Sequence, residues 1–104
     1  MTRYGISLSE EAELDLQEYI DYIIQDCKAP LTALRHYEDL FNVLRSLEYL
    51  PERYVIQKSA SFLRYGPNAR RVNFKKMAII YTVHGDVVYI HRILPSSLIT
   101  NRDD

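Results

Sequence analysis

The chain has 104 residues, of which 47% are hydrophobic and 26% charged, with three Gly, four Pro, a single Cys and a formal net charge of -1. A chain this long buries roughly 65% of the surface its unfolded form exposes, which suffices for one core without disulfides or a structural metal and is too little for two domains. The composition excludes a disordered tail, and no run reaches the ~18 to 20 apolar residues of a membrane-spanning helix, so a soluble single domain over residues 1–104 is expected, with no membrane partner.

The start, MTRYGISLSEE, has no apolar signal core, and one cysteine permits no internal disulfide; together these predict a cytoplasmic protein. Tyr4 to Leu8 alternates and reads as a short strand. Ser9 is the N-cap of a helix over 9–27, because its hydroxyl can accept a free backbone N–H and Glu10, Glu11 and Glu13 place negative charge at the positive end of the helix dipole. Ala12, Leu16, Tyr19, Ile20, Ile23 and Cys27 recur as one buried stripe at 3.6 residues per turn. Pro30 suits the first turn of a second helix, whose stripe of Leu34, Tyr37, Leu40, Phe41, Leu44 and Leu47 runs on until Pro51. The short connection predicts an antiparallel helical hairpin.

Between Pro51 and Asn68 the periodicity weakens, and the segment reads as a loop with one short strand around Phe62 to Tyr65 before the Gly66-Pro67-Asn68 turn. Strands follow at Ala69 to Phe74, Met77 to Val83 and Val87 to Leu94. With Gly85-Asp86 as a two-residue turn, Val83 faces Val88, Tyr81 faces Ile90 and Ile79 faces Arg92. Met77, Ile79, Tyr81, Val83, Val88, Ile90 and Leu94 then share the side that packs on the helices. Ala78, Ile80, Thr82, Tyr89, His91 and Ile93 line the other. The expected fold is α+β, in the order β-α-α-β-β-β, with the helical hairpin on one face of a mostly antiparallel sheet.

Charge is unevenly placed along the chain. Residues 1–52 sum to -7, and residues 53–102 to +8. Such a basic half favours an anionic partner, a nucleic acid or an acidic protein segment; equally, the two halves can attract each other. No cofactor or metal site is expected: His36 lies on a helix, His84 and His91 sit at opposite ends of the last hairpin, and Cys27 continues a buried stripe. Three isolated glycines make no phosphate loop. The carboxylates of the first helix read as a solvated face. What remains is the basic cluster Arg64, Arg70, Arg71, Lys75 and Lys76, interleaved with Tyr65 and Phe74 and joined by His91 and Arg92. Such groups can neutralise phosphates and stack on bases, while basic edge strands also serve to prevent aggregation.

Three stretches, YGISLSEEAELDLQEYIDYI, the Leu44-Leu47-Leu50-Pro51 spacing, and RRVNFKKMAIIYTVHGDVVYIHRIL, resemble in this order the RelE/ParE superfamily, the toxins of bacterial toxin–antitoxin modules. The resemblance implies a toxin, a partly disordered acidic antitoxin as partner, and one of two targets. Members that cut mRNA on the ribosome carry an Arg three residues before the strand Tyr and basic or aromatic residues after the last strand. Here Ala78 precedes Tyr81, and Pro95-Ser96-Ser97 follows Leu94. The long hairpin and the Arg71 and Arg92 positions look more like the ParE branch, which inhibits DNA gyrase and serves plasmid stabilisation. The expected target-binding residues are Arg70, Arg71, Lys75, Lys76, His91 and Arg92, with no catalytic residue assigned. An mRNA endonuclease using Tyr65 or His91, and a non-toxic module that binds only antitoxin or itself as a homodimer, stand as alternatives.

Overall fold

The computed structural model of the protein describes residues 3–99, except the side chain of Cys27. The expected burial of Cys27 and the charges of Arg102, Asp103 and Asp104 thus lie outside the described residues. The elements are β1 (Gly5–Leu8), α1 (Glu10–Cys27), α2 (Pro30–Ser46), β2 (Arg70–Phe74), β3 (Met77–His84) and β4 (Val87–Pro95), with short 3-10 helices at Pro51–Arg53, Ala60–Tyr65 and Ser96–Leu98. This is the expected α+β order. The sheet runs β1-β4-β3-β2, with β1 parallel to β4 and the other pairs antiparallel.

Local chemistry sets the helix ends. The Ser9 hydroxyl accepts the Ala12 N–H at 3.0 Å, while Ser9 itself keeps extended φ/ψ, so α1 is capped where the sequence placed the cap. Lys28 closes α1 in the left-handed region, Ala29 is extended, and Pro30 opens α2, turning the chain back in two residues. The helices then lay Ala12, Leu40, Leu44 and Leu47 against Val72, Phe74, Ile79, Tyr81, Val88, Ile90 and Ile93 of the sheet. A smaller cluster of Phe62, Ala69 and Ile80 lies on the opposite face, because successive strand residues point to opposite sides. No helix among the described residues is long and apolar enough to cross a membrane.

Two expectations are corrected. Val83 and Tyr81 do face Val88 and Ile90 across the Gly85-Asp86 turn, where Gly85 takes a φ of 61°. The ladder then slips: His91 is an extra residue, Arg92 faces Ile80, and Ile93 instead of Arg92 faces Ile79. This bulge turns Ile93 into the helix-side core and leaves Leu94 packing with Phe62 and Ile80, an exchange of faces relative to strict alternation. The second correction concerns Phe62 to Tyr65, which is no strand. Ala60–Tyr65 is a 3-10 helix with Phe62 N–H donating to Ser59 O and Gly66 N–H to Leu63 O, each at 3.0 Å. The outer edge of β2 is already met by the Ile56–Arg70 bridge, and coiling the chain lets Phe62 plug the second face.

Phe62 is fully buried and anchors the segment that carries Arg64 and Tyr65. Phe62→Ala should cost about 3–5 kcal/mol in urea denaturation.

Candidate functional site

The bulge in β4 is held from α1. Asp15, 9% exposed, accepts from the Arg92 Nε at 2.8 Å and Nη2 at 3.0 Å, and its Oδ2 also takes the Ile93 N–H at 3.0 Å. Three donors converge on one carboxylate, which is how a buried charge is made tolerable. The bond to Asp15 is the main reason the Arg92 guanidinium is held above its ordinary pKa. Nearly two turns earlier, Ser9 donates its hydroxyl to His91 O at 2.7 Å and its N–H to Ile90 O at 2.9 Å. The cap of α1 and the bulge of β4 are therefore one unit.

Beside this unit opens a mostly polar cleft of about 300 Å³, walled by Ser9, Glu11, Arg64, Tyr65, Tyr89, His91 and Arg92. Its floor is a file of rings. Tyr65 and His91 have centroids 5.4 Å apart, and Tyr89 meets His91 edge-on at 4.8 Å. Arg64 donates to the Tyr65 hydroxyl at 2.8 Å, with its guanidinium carbon 5.0 Å from that ring's centroid. His91 and His84, expected at opposite ends of the hairpin, meet: their Nε2 atoms lie 2.8 and 2.7 Å from the same Thr82 hydroxyl. A hydroxyl has one proton to give, so with both rings neutral one imidazole accepts it and the other donates to the oxygen. Burial, and then the proximity of His84, push the His91 pKa below 6.5, against the opposing pull of Glu11.

The six expected target-binding residues fall into three places. Arg70 is largely buried, donating to the Glu52 and Tyr54 carbonyls and pairing with the Glu52 carboxylate at 3.8 Å, so it fastens the loop to β2. Arg71 lies on the same strand and donates to Asn73 Oδ1 at 2.9 Å, and Lys75 and Lys76 form the turn that follows. Lys75 reaches α2, 3.0 Å from His36 Nδ1 and 3.5 Å from Asp39. Only His91 and Arg92 enter the cleft. Tyr81 is fully buried, its hydroxyl donates to Pro51 O, and burial pushes its pKa up to about 12. Ala78 is also fully buried.

The reading of the α1 carboxylates as a solvated face does not hold for Asp15, nor for Glu11 at the cleft rim. A signal for Asp15 was present. It stands three residues after Ala12 and four before Tyr19, on the buried stripe, where a carboxylate requires a partner. Tyr89 lies on the expected face of the sheet, and its contact with His91 is not legible in the sequence. No group of three His, Cys, Asp or Glu that could hold a metal ion occurs among the described residues. A second, apolar groove of about 410 Å³ lies at the turn end of the helical hairpin, lined by Ile20, Ile23, Ile24, Ala33, Leu34 and Tyr37 along with the Lys28-Ala29-Pro30 connection.

Two outcomes follow from this geometry. Asp15→Ala leaves Arg92 and the Ile93 N–H without their acceptor and should cost about 3–5 kcal/mol in chemical denaturation. His91 has an unfolded pKa of 6.5 and a lower folded one, so its neutral-state contribution is complete above 6.5 and is lost as pH falls below that value towards the folded pKa. Between about pH 7.5 and 5.5 the wild type should therefore lose more stability than His91→Gln; equal losses would show that His91 does not titrate in this way.

A family described as "ParE toxin of type II toxin-antitoxin system, parDE" matches residues 6–98. No curated protein matches the chain. Among solved structures it is similar to "Chromosomal ParDE TA system from P. aeruginosa", at 18% identity and a TM-score of 0.71, covering 89% of this chain and 96% of that one. At that identity the likeness is one of fold. The family match starts within β1, runs through both helices and the bulged hairpin, and ends in the turn after β4; the chain belongs to the ParE toxin family of type II toxin–antitoxin systems.

Proposed function

We propose that this toxin acts as a single domain in the cytoplasm by binding DNA gyrase, and that a partly disordered antitoxin neutralises it. Family membership supports the toxin and antitoxin roles. One observation carries the preference for target binding over mRNA cleavage: the strand cation and the strand phenol are both committed inside the fold. Arg92 is held in two hydrogen bonds by Asp15, and Tyr81 is buried with its hydroxyl on Pro51 O. Neither is free to steady a phosphorane or to move a proton there.

In this reading Arg71, Lys75 and Lys76 meet the target, His91 contributes from the cleft, and Arg70 and Arg92 act from within by fixing the loop and the bulge. The antitoxin fills the apolar groove at the turn end of the hairpin with an amphipathic segment, where Ile24 and Leu34 are exposed. An acidic stretch of the same chain covers the basic turn, so neutralisation and target binding compete for one surface.

Induced expression without antitoxin should stop growth and raise a DNA-damage response, and the purified toxin should inhibit gyrase supercoiling. The triple variant Arg71→Ala/Lys75→Ala/Lys76→Ala should lose both effects while remaining folded by circular dichroism. Codon-phased cuts in cellular mRNA without a damage response would replace the reading with nuclease action. Normal growth at every expression level would leave a binding module without toxicity.

A further inference from the structure

The cleft at the β4 bulge is used by none of the contacts assigned to the target or the antitoxin beyond His91, yet it is a concavity with a mostly polar lining. We infer that it is a binding site for single-stranded nucleic acid, taking one phosphate on Arg64 and one base against Tyr89. Arg92 is neutralised by Asp15, and His91 is held towards its neutral form by burial and by His84. Arg64 has no carboxylate partner among the described residues. Tyr65 fixes it in place through its hydroxyl and ring, and one of its five N–H groups is spent in doing so. The site thus presents one oriented guanidinium fork, the geometry that fits a phosphate.

The rings decide between a nucleic acid and an acidic peptide. Tyr65 is in contact with both Arg64 and His91, while the one ring contact of Tyr89 among the described residues is the near-perpendicular one with His91. A base can stack on Tyr89, whose plane stands nearly perpendicular to that of His91; a carboxylate side chain would use Arg64 and leave that ring idle. Glu11, whose side chain is 72% exposed and lies 3.5 Å from Arg92, stands at the rim and repels a second phosphate. The site therefore takes one phosphate and gains its remaining affinity from stacking.

The test is fluorescence anisotropy of the toxin alone with labelled deoxy- and ribo-oligonucleotides, single- and double-stranded, across a salt series. It involves no gyrase, so its result is separate from that of the target reading. Arg64→Ala should weaken single-strand binding and reduce the log–log salt slope by about 0.7, the value of one phosphate on a single strand. Tyr89→Ala should weaken it roughly tenfold or more with the slope unchanged. Glu11→Gln should tighten it, and Arg35→Ala, an exposed cation on α2, should bind as wild type. Equal binding by both sugars identifies phosphate and base as the features read, whereas a preference for one names the source. The inference is overturned if no single strand binds at about 50 mM salt. It also fails if Arg64→Ala and Tyr89→Ala both bind as wild type, if Lys75→Ala/Lys76→Ala removes the binding instead, or if a poly-glutamate peptide competes as well as the oligonucleotide. Arg64 is on the surface, so its variant reads the site even if Tyr89→Ala does not fold.

Discussion

One carboxylate organises the functional side of this protein. Asp15 receives two N–H bonds from Arg92 and a third from the Ile93 backbone, and those three donors pin an irregular strand to a regular helix. A bulge leaves backbone groups unmatched in the ladder, and an unpaired buried N–H costs about as much as a lost hydrogen bond; Asp15 satisfies the one at Ile93. Ser9 meets the same bulge through His91 O. The extra residue changes which side chains reach which face: Ile93 joins Ile79 and Tyr81 beneath the helices, Leu94 joins Phe62, and the His91 ring is delivered to Thr82, Tyr65 and Tyr89.

The same contact explains what became of the charge asymmetry. Acids of the first half reach bases of the second in Asp15–Arg92, Glu11–Arg92, Asp39–Lys75 and Glu52–Arg70. The attraction between halves therefore operates at these four pairs. The pairs are unequal in worth. Asp39–Lys75, with both side chains more than two-fifths exposed, contributes little, because water screens it, whereas Asp15–Arg92 is shielded and shares its carboxylate with the backbone. Interior pairing removes Arg92 and Arg70 from the set of cations free to meet a partner. It leaves Arg64 as the oriented cation of the cleft.

The two concavities of the fold also separate in space. The apolar groove belongs to the helices, at the α1–α2 end where Ile24 and Leu34 face solvent, and the polar cleft belongs to the capped start of α1 and the sheet face away from the core. A chain that covers the first without reaching the second would leave the cleft open. That arrangement lets the two surfaces be altered independently.

Much of the fold was legible by itself. The Ser9 cap, the Pro30 start of α2, the apolar stripes apart from Leu34, which the structure leaves exposed, and the Gly85-Asp86 turn each express a local rule, in which neighbouring residues supply their own hydrogen bonds or spacing. The family resemblance was legible for the same reason, since it rests on the order of those local strings. The tertiary structure alone decided the bulge at His91, the coiling of Ala60–Tyr65, and the meeting of His84 with His91 at one hydroxyl. The bulge depends on a residue distant in sequence: Asp15 lies 78 positions from the N–H it accepts. Strict alternation is the cheapest local choice for β4, and it is overruled because a helix carboxylate across the core offers the strand a better partner than its own ladder.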